Sequence, residues 1–231
     1  MRISRIPYVV AAAIGGMVVS CNGPNSPIAS PDLPPGSVIF SEEFEGDLSS
    51  YRQITYNIGQ GMMSLSTQQA RSGKRSLTSD SNNTGIKRVI DPSIDDSIAG
   101  LQFFLMATTT AHTNFIAAMC KPGSSANGLF SIFGMGIDQS DSLKYVYENA
   151  PGDTINEHKN FAALVLNKWY KCKIEYDYTD TVLTFFVDNT VVYTRSAPSP
   201  MTLQTFVVMR DDLGAQGPAG YYLDNVSIYK R

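Results

Sequence analysis

Few side chains in this 231-residue chain are placed to do chemistry. Carboxylates crowd one short stretch, Glu175-Tyr176-Asp177-Tyr178-Thr179-Asp180. Paired carboxyl groups are suited to general acid/base work. Strand alternation sets Glu175 and Asp177 on one side, whereas Asp180 falls in the turn that follows. The plainer reading is therefore a solvent-facing strand ending in an Asp-rich turn. Only two histidines exist, His112 and His158, with no H-E-x-x-H and no Cys/His cluster. That pattern speaks against a zinc enzyme. There is also no Gly-x-Ser-x-Gly elbow to carry a serine nucleophile. The acidic pairs Asp95-Asp96 and Asp211-Asp212 sit beside Ser or Leu-Gly and read as loops.

The elements that must hold these groups are strands. Charged residues make up only 17% of the chain and aromatics 10%, with 12 Tyr, 11 Phe and a single Trp. Low charge with abundant Tyr, Thr, Val and Phe favours β structure. Short apolar or alternating runs recur between turn signals: 38–40, 76–78, 86–90, 101–108, 114–120, 129–137, 143–147, 169–178, 182–187, 191–194, 205–210 and 221–229. In 169–177, Cys172, Ile174 and Tyr176 alternate with Lys171, Lys173, Glu175 and Asp177. The apolar set belongs to a core and the charged set to the other face. Only 161–166 offers a turn of helix. With no composition break and no repeat, residues 38–231 read as one domain, an antiparallel β-sandwich.

The first 37 residues differ. Arg2 and Arg5 precede an apolar run, Ile6 to Val19, too short to span a bilayer and suited to an export signal. Val18-Val19-Ser20-Cys21 resembles the bacterial lipobox. That resemblance implies a signal peptide over residues 1–20, cleavage before Cys21, and a diacylglyceryl anchor on its sulfur. Two or three acyl chains hold a protein on a membrane where one does not. Asn22, rather than Asp, in the next position implies outer-membrane sorting in a diderm cell. Residues 21–37 carry five prolines among Asn, Ser and Gly, the composition of an extended tether. The whole chain has 18 basic and 21 acidic residues, a net −3. Loss of Arg2 and Arg5 makes this −5. An acidic chain of this kind does not fit a nucleic-acid partner.

Four segments in order resemble concanavalin A-like jelly-roll domains, including laminin-G-like members. They are Ser41-Glu42-Glu43-Phe44-Glu45-Gly46, Ser72-Gly73-Lys74-Arg75-Ser76-Leu77, the Trp169 strand with Phe186-Val187-Asp188-Asn189, and Tyr221-Tyr222-Leu223-Asp224-Asn225-Val226. Asn189 stands where Gly is usual, and Asn also tolerates the left-handed backbone of such a turn. The resemblance covers nearly all of 38–231 and implies an all-β jelly roll. It also implies a structural Ca²⁺ between the acidic first strand and the last, held by Glu43 and Asp224. The stretch from Glu175 to Asp180 is similar to the E-x-D-x-x-E signature of jelly-roll endo-glucanases, with Asp180 replacing the final Glu.

These domains include lectins, glucanases, lyases and peptide-binding modules, so fold alone does not fix function. The expected function is carbohydrate recognition by an exported, envelope-anchored lipoprotein. Tyr145, Tyr147, Trp169 and Arg210 are the candidate ligand contacts. The alternatives are a glycosidase or polysaccharide lyase of the same fold, and an adhesion lipoprotein with a protein partner. Cys120 and Cys172 are open to either a disulfide, which export permits, or two buried thiols.

Overall fold

The computed structural model describes residues 38–55, 62–79, 84–94, 98–109, 114–122, 129–138, 140–148, 156–197, 203–210 and 220–230. Cys21 and the Pro-rich stretch lie outside them. The described residues form fifteen strands and no helix. The first sheet runs β13(Thr190–Ser196), β12(Val182–Val187), β11(Trp169–Asp177), β6(Ile98–Ala107), β15(Tyr221–Lys230), β4(Ser76–Ser79), β3(Met63–Ser66). β1(Val38–Glu42) pairs with the second half of β15. The second sheet runs β10(Asn156–Ala163), β9(Ser142–Glu148), β8(Leu129–Asp138), β7(Asn114–Pro122), β14(Leu203–Arg210), β5(Thr84–Ile94), β2(Arg52–Thr55). Every pairing is antiparallel. The sandwich expected from alternation is present.

Side-chain parity builds the core between the sheets. Tyr170, Cys172, Ile174 and Tyr176 on β11 join Leu101, Phe103 and Leu105 on β6 and Leu183 and Phe185 on β12. Met135, Ile137, Leu143 and Tyr145 face them from the second sheet. Burying each large apolar side chain stabilises the fold by roughly 1.5–3 kcal/mol. In β15 the register shifts between Asp224 and Ser227, and Asn225 there has φ +48°. This bulge keeps Tyr221 and Leu223 on the core side before it, and Val226 and Ile228 on the core side after it.

Both open sides of the sandwich are closed by side chains. On one, the Tyr145 ring stacks on Tyr193 of β13 at 4.7 Å, and Phe161 of β10 meets Phe185 at 5.9 Å. On the other, the Gln53 side chain of β2 donates to the Met63 carbonyl of β3 at 3.2 Å and accepts from the Met63 amide at 3.3 Å. A side-chain amide there satisfies the backbone of an edge strand, which would otherwise be open to another chain.

Three strands were not expected from the sequence: β2, β3 and β10. Segment 161–166 is no helix turn; it finishes β10 and enters the turn before β11. His158, expected in a polar loop, has its backbone in β10. Of the two cysteine states left open, Cys172 is in the thiol one. It is buried in the core of the first sheet, whereas Cys120 belongs to β7 of the second. Burial raises the Cys172 thiol well above its ordinary pKa, so it stays protonated.

Gly100 on β6 shows how tightly the outward side of the first sheet is filled. A Cβ at this position would collide with the Tyr229 ring. Gly100→Ala should therefore lower unfolding free energy by about 1–3 kcal/mol, the usual cost of overpacking. Chemical denaturation would check this, with Tyr229→Phe, which loses one hydrogen bond, expected to cost about 1 kcal/mol.

Candidate functional site

The outward side of the first sheet carries a regular ladder of polar and aromatic residues. Glu175 sits opposite Thr184 and Gly100, and Tyr229 opposite Gly100. Lys173 sits opposite Phe186 and Gln102, and Gln102 opposite Ser227. Lys171 faces Phe104, which faces Asp224; Trp169 faces Met106, which faces Tyr222. All of these alternate with core residues along their strands.

Within the ladder, Glu175 Oε1 accepts from the Tyr229 hydroxyl at 2.7 Å and from Lys173 Nζ at 3.2 Å. Tyr229 can reach because Gly100 leaves room beneath its ring. The Lys173 ammonium also lies 3.8 Å from the Phe186 ring centroid. Gln102 is buried in the row beside it, and Glu175 and Lys171 are buried too. At the end nearest Trp169, Asp188 Oδ1 accepts from the Lys171 amide at 3.0 Å, and Oδ2 pairs with Lys168 Nζ at 3.3 Å. Asp188 and Asn189 form the hairpin turn with φ +48° and +65°, so Asn189 takes the left-handed conformation expected of it. The half-buried Trp169 ring therefore borders a strip of ammonium and carboxylate groups.

The expected site residues are not all brought together. Trp169 and Glu175 share the outward ladder of β11. Tyr145 is a core residue, 2% exposed, stacked on Tyr193 and 5.5 Å from Phe185. It is not a ligand platform, because its parity on β9 is that of Leu143, another core residue. Tyr147 and Arg210 have their backbones in β9 and β14, and their side chains lie outside the described residues. Asp177 Oδ1 accepts from the amides of Thr179 at 2.8 Å and Asp180 at 3.1 Å, which closes the turn. Asp180 is exposed in that turn and does not join Glu175 on the strand face. Sequence reasoning missed Lys173, Phe186, Gln102 and Tyr229 as a group, since only cross-strand register unites them.

The acidic first and last segments meet at the 71–75 turn. Asp224 is fully buried. Its Oδ2 accepts from the amides of Arg71 at 2.8 Å and Ser72 at 3.2 Å, and its Oδ1 from its neighbour Asn225 at 2.8 Å. Glu45 Oε1 accepts from the amides of Lys74 at 2.7 Å and Arg75 at 2.9 Å. Gly73 between them has φ +60°, and a Cβ there would strike Glu45. Asn225 Nδ2 adds a bond to Ser72 Oγ at 2.8 Å. Two carboxylates thus hold the 71–75 turn. Glu43 is exposed, and the acid that acts electrostatically on Asp224 is Glu45. Both oxygens of Asp224 and one of Glu45 accept from backbone amides. No group of three or more His, Cys, Asp or Glu suited to a metal occurs among the described residues.

No protein-family model matches the sequence, and no curated protein matches it. Solved structures do match the fold. The globular domain of T. cruzi calreticulin superposes with TM-score 0.63 at 11% identity, over 84% of this chain and 89% of that one. A protein described among endo-acting O-glycanases of the human gut microbiota that initiate mucin breakdown gives 0.57 at 10% identity, over 86% and 92%. The binding domain of botulinum neurotoxin serotype D gives 0.57 at 9% identity, over 84% of this chain but only 48% of that one. At these identities the likeness shows the fold: an antiparallel β-sandwich of the jelly-roll type.

Burial pushes the Asp224 carboxyl up from 3.8 to about 6, against the lowering pull of the Ser72, Arg71 and Asn225 amides and with added repulsion from Glu45. A carboxyl whose folded pKa is raised favours folding in its protonated form. Its contribution is complete below the unfolded pKa and is lost as the pH rises through the folded one. Glu45 and Asp138 shift downward, held by backbone amides and by Ser140 respectively, so their contributions fade only on acidification below the ordinary carboxylate range. Melting temperature should therefore fall as pH rises from about 4.5 to 7, with a stability loss on the order of 2 kcal/mol. Asp224→Asn should remove that part of the slope; an unchanged pH profile in this variant would refute the assignment.

Proposed function

We propose that the domain binds carbohydrate through the outward ladder of its first sheet, centred on Trp169, Lys173, Glu175 and Phe186. The observation that carries this reading is the ladder itself. It sets planar and charged hydrogen-bonding groups beside aromatic rings on adjacent strands, with Tyr229 and Gly100 fixing Glu175 in place. Sugars are recognised by that combination, rings taking the C–H face and polar side chains taking hydroxyls. One of the similar folds is described as belonging to endo-acting O-glycanases, which supports a glycan ligand. No acid/base carboxylate pair is assembled from Glu175, Asp177 and Asp180, so recognition is favoured over hydrolysis.

The export signal and lipobox complete the proposal: the domain is held at the cell envelope, in the outer membrane of a diderm cell, through acylated Cys21 and the Pro-rich tether. Cys21→Ser should abolish incorporation of labelled fatty acid and move the protein from the membrane to the soluble fraction.

For binding, the purified full-length chain should be retained on part of a broad polysaccharide panel. Trp169→Ala and Glu175→Gln should each weaken binding about tenfold, a loss of about 1.4 kcal/mol, while circular dichroism stays that of the parent. The reading fails if no polysaccharide is retained, or if both variants bind as the parent does. Release of new reducing ends during incubation would instead point to the hydrolytic alternative.

A further inference from the structure

Resting on the carbohydrate reading, we infer that the ladder takes a neutral, hydroxyl-rich sugar rather than a uronate, sialoside or sulfated glycan. Between residues 168 and 189, Lys168, Lys171 and Lys173 stand with four carboxylates, Glu175, Asp177, Asp180 and Asp188. The offset is local as well as numerical. Lys173 pairs with Glu175 at 3.2 Å and Lys168 with Asp188 at 3.3 Å. Lys171 is buried beside them. Positive charge along this stretch is therefore offset by at least as much negative charge, on a chain whose overall charge is −3.

An anionic sugar would meet Lys173 with its charge already offset by Glu175 at 3.2 Å, and would set a second negative charge beside that carboxylate. Like charges brought together in a partly buried site repel. A sugar hydroxyl brings no such repulsion, and it donates and accepts at once. An ammonium offers three donors and a carboxylate about four acceptor sites. Vicinal hydroxyls can thus bridge Lys173 and Glu175 while the pair stays intact, with Trp169 bordering the ring. Such binding depends little on ionic strength, since no uncompensated charge is neutralised.

The test measures affinity of the full-length chain for neutral and for uronate-bearing, sialylated and sulfated glycans at low and high NaCl. Neutral glycans should bind with dissociation constants that change less than about twofold across a tenfold rise in salt. Lys173→Ala, which removes the ammonium bonded to Glu175 at 3.2 Å, should weaken neutral-glycan binding about tenfold. Tighter binding of the anionic glycans, falling steeply with salt, would overturn the inference while leaving carbohydrate recognition standing. Failure to bind either class would instead remove the carbohydrate reading on which the inference rests.

Discussion

The fold depends on two carboxylates, buried Asp224 and half-buried Glu45, that receive backbone amides. The 71–75 turn has peptide N–H groups without strand partners, and unpaired amides in a protein interior are strongly unfavourable. Asp224 and Glu45 supply the acceptors from opposite ends of the domain's sequence. The arrangement fixes the entry of β4, sets the position of β15 against it, and uses Gly73 and Asn225 where the backbone turns left-handed. Because β15 lies between β6 and β4 and also receives β1, an error in its register would displace the middle of the first sheet. Three segments that look unrelated in sequence, two acidic and one basic, are thus one hydrogen-bonded unit.

The same strand order makes the ladder. β11 and β6 lie side by side; β6 is buried on both faces, and the outward residues of β11 are buried or half-buried. Gln102, Phe104, Met106 and Tyr229 are all at most 8% exposed although none faces the opposite sheet. Polar groups at such positions need partners. Glu175 has Tyr229 and Lys173, and Lys173 also has the Phe186 ring. Immobilised, internally paired side chains lose little further entropy on meeting a ligand.

Much of this was legible in sequence because strand alternation is local. The parity of Cys172, Ile174 and Tyr176 against Lys171, Lys173 and Glu175 reads directly off β11. The Asp188-Asn189 turn and the Asp177–Asp180 turn carry their own chemistry. The three strands not seen in advance are β10, β2 and β3, each at the edge of a sheet. An edge strand pairs on one side only and carries polar residues, as in Asn156-Glu157-His158-Lys159-Asn160, so the apolar signal is missing. Tyr145 was readable in principle, since it shares parity with Leu143. The Lys173–Glu175–Tyr229 grouping was not, because it spans residues far apart in the chain and depends on the register of β11, β6 and β15. The acidic motifs were recognisable as motifs, but whether their oxygens meet a cation or amides depends on the path of the intervening turn.

The direction of β15 has a practical consequence. Val38 pairs with Tyr229, so the first and last described strands open at the same end of the sandwich. Gly220, Thr108, Asn167 and Asp188 gather at the other end, where the Gly220 carbonyl accepts the Thr108 amide at 2.7 Å and the Ala107 carbonyl the Asn167 amide at 2.7 Å. At about 3.4 Å per residue the length of β15 separates the two ends by roughly 30 Å. A reporter, bead or second domain attached beyond residue 230, or at residue 38, would sit behind the Trp169 rim. The domain is suited to being displayed, immobilised or joined in tandem with that rim left uncovered.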